Sequence, residues 1–434
     1  MKWSDGNARR GLLWACVVGG VGAAISIGRL LWANGEALTQ VLWAEDGLFT
    51  ECVDKVGFTH CLTDAYAGYA SLLPRVLAGV TAIFPASQWA LVANLLAALL
   101  IGVAVGWLFW WLRRYGLALF TSLATSLLLV LAPIVGYEVI NVFACSYVPL
   151  LVLGVMFLAL PIDPYPRKTV ATFMLVATLT IPTAGLLIAL VLLQWLLRRF
   201  SARTALALIV AMAIGLAVQL VFITTSSTPR ATDLGVDAFQ NWIDSVPVAL
   251  LTFLPGFSIA DTGVFTNYST IPSPLLTWMI VGGLLAWGIW LIARRAGALR
   301  GAGMLLVSGL VLGAAPTVFL AANVRYFVVP CLLIAAAMVI SLDSRISRTR
   351  PLVLVLVAAL VIALWWSLLP ASSWRTTPAP PWRAEVARVA AHCISDPALT
   401  ERPIFTPFFP PNWGDGMAEP THPNLPCAVG ATWR

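Results

Sequence analysis

Charge is what this chain has least of. Only 10% of its 434 residues are Asp, Glu, Lys or Arg, against roughly 25% in an ordinary soluble domain. Its three histidines, His60, His392 and His422, are too scattered for a metal site, and no Cys/His spacing of zinc type occurs. There is no Gly-x-x-x-x-Gly-Lys phosphate loop and no Gly-x-Ser-x-Gly elbow. These absences exclude P-loop nucleotide chemistry, the serine-hydrolase elbow and structural zinc. No solenoid repeat or long low-complexity run is present. No small-residue cleavage signal follows the first apolar segment, 11–33, so that segment reads as a spanning helix.

Apolar residues fill the space. They make up 60% of the chain, with 19 tryptophans and a mean hydropathy of +0.89. This is the composition of a polytopic all-α membrane protein. Spanning helices are expected over 11–33, 88–112, 116–136, 139–160, 169–182, 184–198, 203–224, 272–293, 302–321, 326–342 and 351–370. That makes eleven, an odd number, which puts the termini on opposite sides. The segment 69–84 is short for a span, carries Arg75 in its first turn and ends at Pro85, so it reads as an interfacial helix. Helices 169–182 and 184–198 are also short and meet at Ile181-Pro182-Thr183. They read as a hairpin leaving a recess, with hydrophobic mismatch as the alternative.

The formal charge of +7 does not indicate nucleic acid, because of where the charges lie. Sixteen of the 26 basic residues fall in one set of connections: Lys2, Arg9, Arg10, Arg113, Arg114, Arg167, Lys168, Arg198, Arg199, Arg203, Arg294, Arg295, Arg300, Arg345, Arg348 and Arg350. Only Asp5, Asp163 and Asp343 join them; the other 16 of the 19 acids fall opposite. By the positive-inside rule the basic connections are cytoplasmic. The N-terminus is then inside and the C-terminus extracytoplasmic. Residues 1–370 form the membrane domain, with a first outer loop at 34–87 and a second outer segment at 225–271. Residues 371–434 form a small outer cap.

The first outer loop carries the densest polar chemistry. Trp43-Ala44-Glu45-Asp46-Gly47 is followed by Tyr66-Ala67-Gly68-Tyr69 and Leu73-Pro74-Arg75. A carboxylate near the membrane surface suits a general base for an acceptor hydroxyl. With substrate phosphate, Glu45 and Asp46 also suit a divalent cation, Mg or Mn. Most acidic pairs do no more than solvate a loop. Arg325 and Tyr326 start helix 326–342 at headgroup depth, where an arginine fork grips lipid phosphate or, equally, serves as an interface anchor beside an aromatic belt. Arg75 suits phosphate or carboxylate pairing. Tyr66, Tyr69, Glu138 and Asn141 are candidates to line an acceptor path. Arg29, within the first helix, needs a partner, for which Glu138 is a candidate.

Cysteines fall into two groups. Cys16, Cys145 and Cys331 lie in apolar segments and read as small core residues. Cys52 and Cys61 share the first outer loop, and Cys393 and Cys427 share the cap. Outside the cytoplasm each pair is a candidate disulfide, and spacing alone leaves the reduced state equally open.

A helix entering from the cytoplasm, a long outer loop with Glu45-Asp46, an interfacial helix, a helical bundle and an outer C-terminal region together resemble the GT-C superfamily of membrane glycosyltransferases. The Trp43–Gly47, Tyr66–Tyr69 and Leu73–Arg75 motifs are similar to a group of bacterial GT-C-like proteins. They cover about 40 residues, whereas the architecture covers most of the chain. The resemblance implies an inverting transferase in a bacterial plasma (inner) membrane. It would move a sugar from a polyprenyl-phosphate donor to a glycan or glycolipid acceptor of the envelope. Asp46 would be the base, Glu45 the second choice, and Arg325 the phosphate contact. The His-Pro-Pro-Leu segment of protein O-mannosyltransferases is missing, which weighs against a protein acceptor. Two other classes stay open: a lipid-linked sugar flippase or transporter, and a non-catalytic envelope-assembly scaffold.

Overall fold

Backbone amides and carbonyls in a greasy, nearly uncharged chain are best satisfied within their own segment, and the α-helix does this. The computed structural model describes residues 5–34, 42–65, 68–132, 135, 139, 141–226, 274–294, 297–319, 324–343 and 382–395. Among them the chain is helical, without strands. The order is α1 (Asp5–Asn34), α2 (Ala44–Val56), α3 (Phe58–Thr63), α4 (Leu72–Thr81), α5 (Trp89–Tyr115), α6 (Leu119–Leu131) and α7 (Tyr147–Ala159). There follow α8 (Arg167–Thr180), α9 (Leu187–Leu196), α10 (Ala202–Thr225), α11 (Pro274–Ala293), α12 (Gly297–Phe319), α13 (Val328–Ser341) and α14 (Trp382–Ser395). Short 3-10 turns at Ala86–Gln88, Phe143–Ser146, Pro182–Leu186 and Val324–Phe327 lead into α5, α7, α9 and α13.

Among the described residues three stretches are long and apolar enough to cross a membrane: Arg10–Leu31 in α1, Ala86–Tyr115 through α5, and Ala202–Thr225, which is α10. The outer stripe of α10, with Leu206, Val210, Ile214 and Val221 exposed at helical spacing, suits hydrocarbon rather than water. The expected helices recur with shifted ends. The segment expected over 116–136 is helical as α6 only to Leu131, and Ala132 leaves helical geometry. Segment 351–370, nearly all of 225–271, and the cap apart from α14 lie outside the described residues.

The centre of the bundle is α7, buried on every side from Val148 to Ala159, as a helix apolar all round must be. α1 crosses α5 at small residues. A side chain on Gly106 would come within 2.5 Å of the Ala15 carbonyl oxygen, and one on Gly102 within 2.7 Å of that of Gly19. Such close backbone approach is how apolar helices associate without a hydrophobic drive between them. Cys145 and Cys331 are buried as expected, but Cys16 faces outward and fills no core position.

Side-chain bonds tie the connections together at the two ends of the bundle. At one end Asp343 accepts from the Ala118 amide at 2.8 Å, and Trp111 Nε1 donates to the Leu160 carbonyl at 2.8 Å. Arg113, in the last turn of α5, and Arg167, the first residue of α8, lie at this basic end. At the other, Arg29 Nη1 donates to the Val130 carbonyl at 2.6 Å and the Ala132 carbonyl at 3.2 Å. Arg29 thus caps the unsatisfied carbonyls closing α6. Glu138, its expected partner, lies outside the described residues. Trp382 of α14 donates to the Ala86 carbonyl at 2.7 Å and stacks on Trp89 with ring centroids 6.2 Å apart. The C-terminal helix and the first loop therefore share this second end.

Candidate functional site

The loop expected around Glu45 and Asp46 is itself helical. Both acids occupy the first turn of α2 and Lys55 the last, the arrangement that complements a helix dipole. Gly57, at φ +86°, ends the helix in a conformation that favours glycine. α2 then folds back through α3 to α4. Cys52 and Cys61 are disulfide-bonded, with Cα atoms 6.0 Å apart. Arg75 is 3% exposed; its Nη1 donates to the Cys61 carbonyl, and its guanidinium lies 5.4 Å from the Phe49 ring centroid. Arg75, expected to pair with phosphate or carboxylate, here braces α2, α3 and α4 from within. The opposite side of α4 leaves Val76 and Val80 exposed, and Ile83 and Phe84 continue that apolar surface, which fits an interfacial helix.

Asp46 is the hinge pin of this unit. It is 1% exposed, and its Oδ1 accepts from the Ala144 amide at 2.8 Å while Oδ2 accepts from the Phe143 amide at 3.1 Å. Those amides belong to the 3-10 turn leading into α7, where N–H groups lack helical partners. One carboxylate thereby joins the acidic helix to the central helix of the bundle. Thr50 Oγ1 donates back to the Asp46 carbonyl at 2.7 Å, tightening the first turn. Glu45 is buried beside it.

A second buried charge pair lies further along α2. Lys55 Nζ is 2.9 Å from Glu51 Oε1, with the side chains 1% and 2% exposed. Sequence reasoning passed over this pair because it took the segment as a loop. The Glu-x-x-x-Lys spacing, with Phe49, Cys52 and Val53 on adjoining positions, is the signal that reveals it once a helix is assumed.

The remaining candidates are distributed differently. Asn141, at φ +56°, accepts from Ser26 Oγ at 2.7 Å and donates Nδ2 to the Ser26 carbonyl at 2.9 Å. It locks α1 to the approach to α7. Tyr69 is half-buried just before α4. Tyr326 is half-buried in the Val324–Phe327 turn, which also carries the Arg325 backbone. That turn opens α13 opposite Asp343, hence at the α2 end. Tyr66, Glu138, Cys427 and the Arg325 side chain lie outside the described residues. Cys393 is disulfide-bonded. In α14 Glu385 accepts from Arg388 Nε at 2.9 Å and Nη2 at 2.6 Å; this bonding holds the guanidinium pKa above its ordinary value.

The recess expected at the α8–α9 tip is filled by the loop. Gln219 of α10 donates to the Thr178 carbonyl at 2.8 Å and accepts from the Ala70 amide at 2.9 Å. Thr180 Oγ1 accepts from the Leu73 amide at 3.3 Å. The short hairpin and α10 thus seat the N-terminus of α4.

Among the described residues no three His, Cys, Asp or Glu side chains converge in a metal-holding group. Both Asp46 oxygens accept backbone N–H bonds, while Glu45 is buried next to it in the same turn. No family model matches the chain. No curated protein matches it significantly.

Proposed function

We propose that the protein is an inverting membrane glycosyltransferase of GT-C type. It would have eleven spans, a cytoplasmic N-terminus, an extracytoplasmic C-terminus and its site at the α2 end. The donor is a sugar on polyprenyl phosphate, and the acceptor is a hydroxyl of an envelope glycan or glycolipid. The observation carrying this reading is the attachment of the acidic first turn of α2 to the start of α7 through Asp46. That attachment holds a pair of carboxylates where the loop meets the bundle.

The same attachment divides the labour between the acids. Asp46 cannot swing toward an acceptor without releasing two backbone amides, so its role is positioning. Glu45 is the general base. It removes the acceptor proton as the acceptor oxygen attacks the anomeric carbon, and the carbon–oxygen bond to phosphate breaks with inversion. Arg325, on a turn at the same end, meets the charge developing on the departing polyprenyl phosphate.

The test begins with the full chain purified in mild detergent and mass spectrometry of its tightly bound lipids. Polyprenyl phosphate or its sugar adduct is expected. Ordinary phospholipid alone, where a polyprenyl-binding control keeps its ligand, sinks the reading in favour of a scaffold. With the recovered donor, Glu45→Gln should abolish transfer while the variant still purifies as a folded, monodisperse protein. Asp46→Asn should lower both transfer and melting temperature, because an amide nitrogen would face a backbone N–H. Its cost is about 2–4 kcal/mol for charge-assisted bonds lost in a buried site. Full transfer by Glu45→Gln removes Glu45 from the chemistry.

A further inference from the structure

At the end of the bundle opposite α2, where α8 and α10 begin, two surface depressions adjoin. One, of about 360 Å³, is lined by Tyr165, Pro166, Arg167, Lys168, Thr169 and Thr204. The other, of about 450 Å³, is lined by Arg167, Lys168, Ala171, Arg203, Leu206, Ala207 and Val210. Arg167 and Lys168 belong to both, so the two form one continuous groove with a polar head and an apolar tail. Its apolar wall follows helical spacing: Ala171 lies one turn beyond Arg167, and Leu206, Ala207 and Val210 lie one and two turns beyond Arg203. The wall runs about 10 Å along α10, at 1.5 Å per residue.

Arg167 and Lys168 line both parts of this groove, and Arg203 lines the apolar part beside them. The side chains of Arg167, Lys168 and Arg203 make no hydrogen bond or ion pair with any described residue. Asp163, in the loop before α8, is exposed and does not line the groove. Leu206 is 62% exposed at the start of the wall, which is costly in water and favourable against an acyl chain. Topology alone accounts for basic residues at this end. It does not account for their meeting at the mouth of an apolar channel.

We propose that this groove is a binding site for an anionic glycerophospholipid of the surrounding bilayer. The phosphate sits among Arg167, Lys168 and Arg203, and an acyl chain lies along Ala171, Leu206, Ala207 and Val210. Two basic side chains on α8 and one on α10 bridge through one lipid phosphate, so the lipid also clamps the two helices together. Membrane-facing pockets that pair basic groups with an apolar wall recognise lipid headgroups by this combination of charge and burial.

The experiment uses the full chain in neutral detergent and native mass spectrometry, with phosphatidylglycerol and phosphatidylcholine of identical acyl chains as probes. Phosphatidylglycerol should bind preferentially. The variant Arg167→Ala/Lys168→Ala/Arg203→Ala should lose about 100-fold in affinity, roughly a factor of 5 for each basic group near anionic lipid. Ala207→Trp, which fills the channel and leaves every charge in place, should weaken binding as well. Arg114→Ala, at the same end with its guanidinium 5.1 Å from the Trp110 ring, should leave it unchanged. Equal affinity for the two lipids overturns the proposal, as does an equal loss in Arg114→Ala. Undiminished binding by Ala207→Trp, or glycerol 1-phosphate binding as tightly as the lipid, removes the acyl channel and overturns it too.

Discussion

At the scale of single residues, buried charge in this protein is spent on joining segments. Asp46 joins α2 to α7, Asp343 holds the start of α6, and Arg29 holds its end. Glu51 and Lys55 are different, because their pairing stays within α2. Removing one member of a buried pair leaves its partner desolvated without compensation, at a cost of about 3–5 kcal/mol, whereas an apolar pair of similar volume is often neutral. Lys55→Met should therefore lower the detergent melting temperature clearly. The double variant Glu51→Leu/Lys55→Met should recover most of that loss. A double variant as unstable as the single one would mean that the pair itself, rather than its completeness, supports α2. None of these partnerships is written into local sequence. A lone Asp in a polar stretch gives no sign that its acceptors will meet amides nearly a hundred positions away.

Elements are governed by surface texture. α1 and α5 approach through Ala15, Gly19, Gly102 and Gly106, and the backbones come too close for side chains between them. Gly106→Leu should force the helices apart and reduce the folded fraction recovered after solubilisation. Gly20 has nothing within 4 Å of where a side chain would project. Gly20→Ala should accordingly be neutral or stabilising by up to about 1 kcal/mol, from helix propensity alone. Size-exclusion profiles and melting temperatures of the two variants check this contrast; equal damage from both would remove the close crossing from the account. Whole helices were legible from their apolar runs, including the short pair α8 and α9 broken at Pro182. α2 was not, since Glu45, Asp46, Asp54 and Lys55 dilute its apolar stripe and obscure the periodicity.

Across the whole molecule, the two ends differ in chemistry: acidic α2 with α4 and α14 at one, the arginine-rich connections at the other. Ser201 and Thr225 flank the opposite ends of α10 and both are exposed. On the proposed orientation, in a Cys16→Ser background, Thr225→Cys should react with an impermeant maleimide in intact cells. Ser201→Cys should react only after the membrane is opened. The reverse pattern would invert the topology and move the acidic end into the cytoplasm; reaction of both in intact cells would deny that α10 crosses.

Composition and the run of apolar residues are enough to give an all-helical chain with helices suited to a membrane. Scarce charge and long apolar runs admit helices in a low-dielectric surrounding, and the clustering of arginines sets one group of connections apart from the rest. These are additive properties of neighbouring residues, readable without coordinates. Which polar groups meet is a matter of tertiary packing. It made Asp46 an anchor, turned Arg75 inward onto the Cys61 carbonyl, paired Asn141 with Ser26 and set Gln219 against Ala70. Such contacts arise where helix ends distant in sequence are brought together, and each unsatisfied amide or carbonyl there must find its partner within the fold.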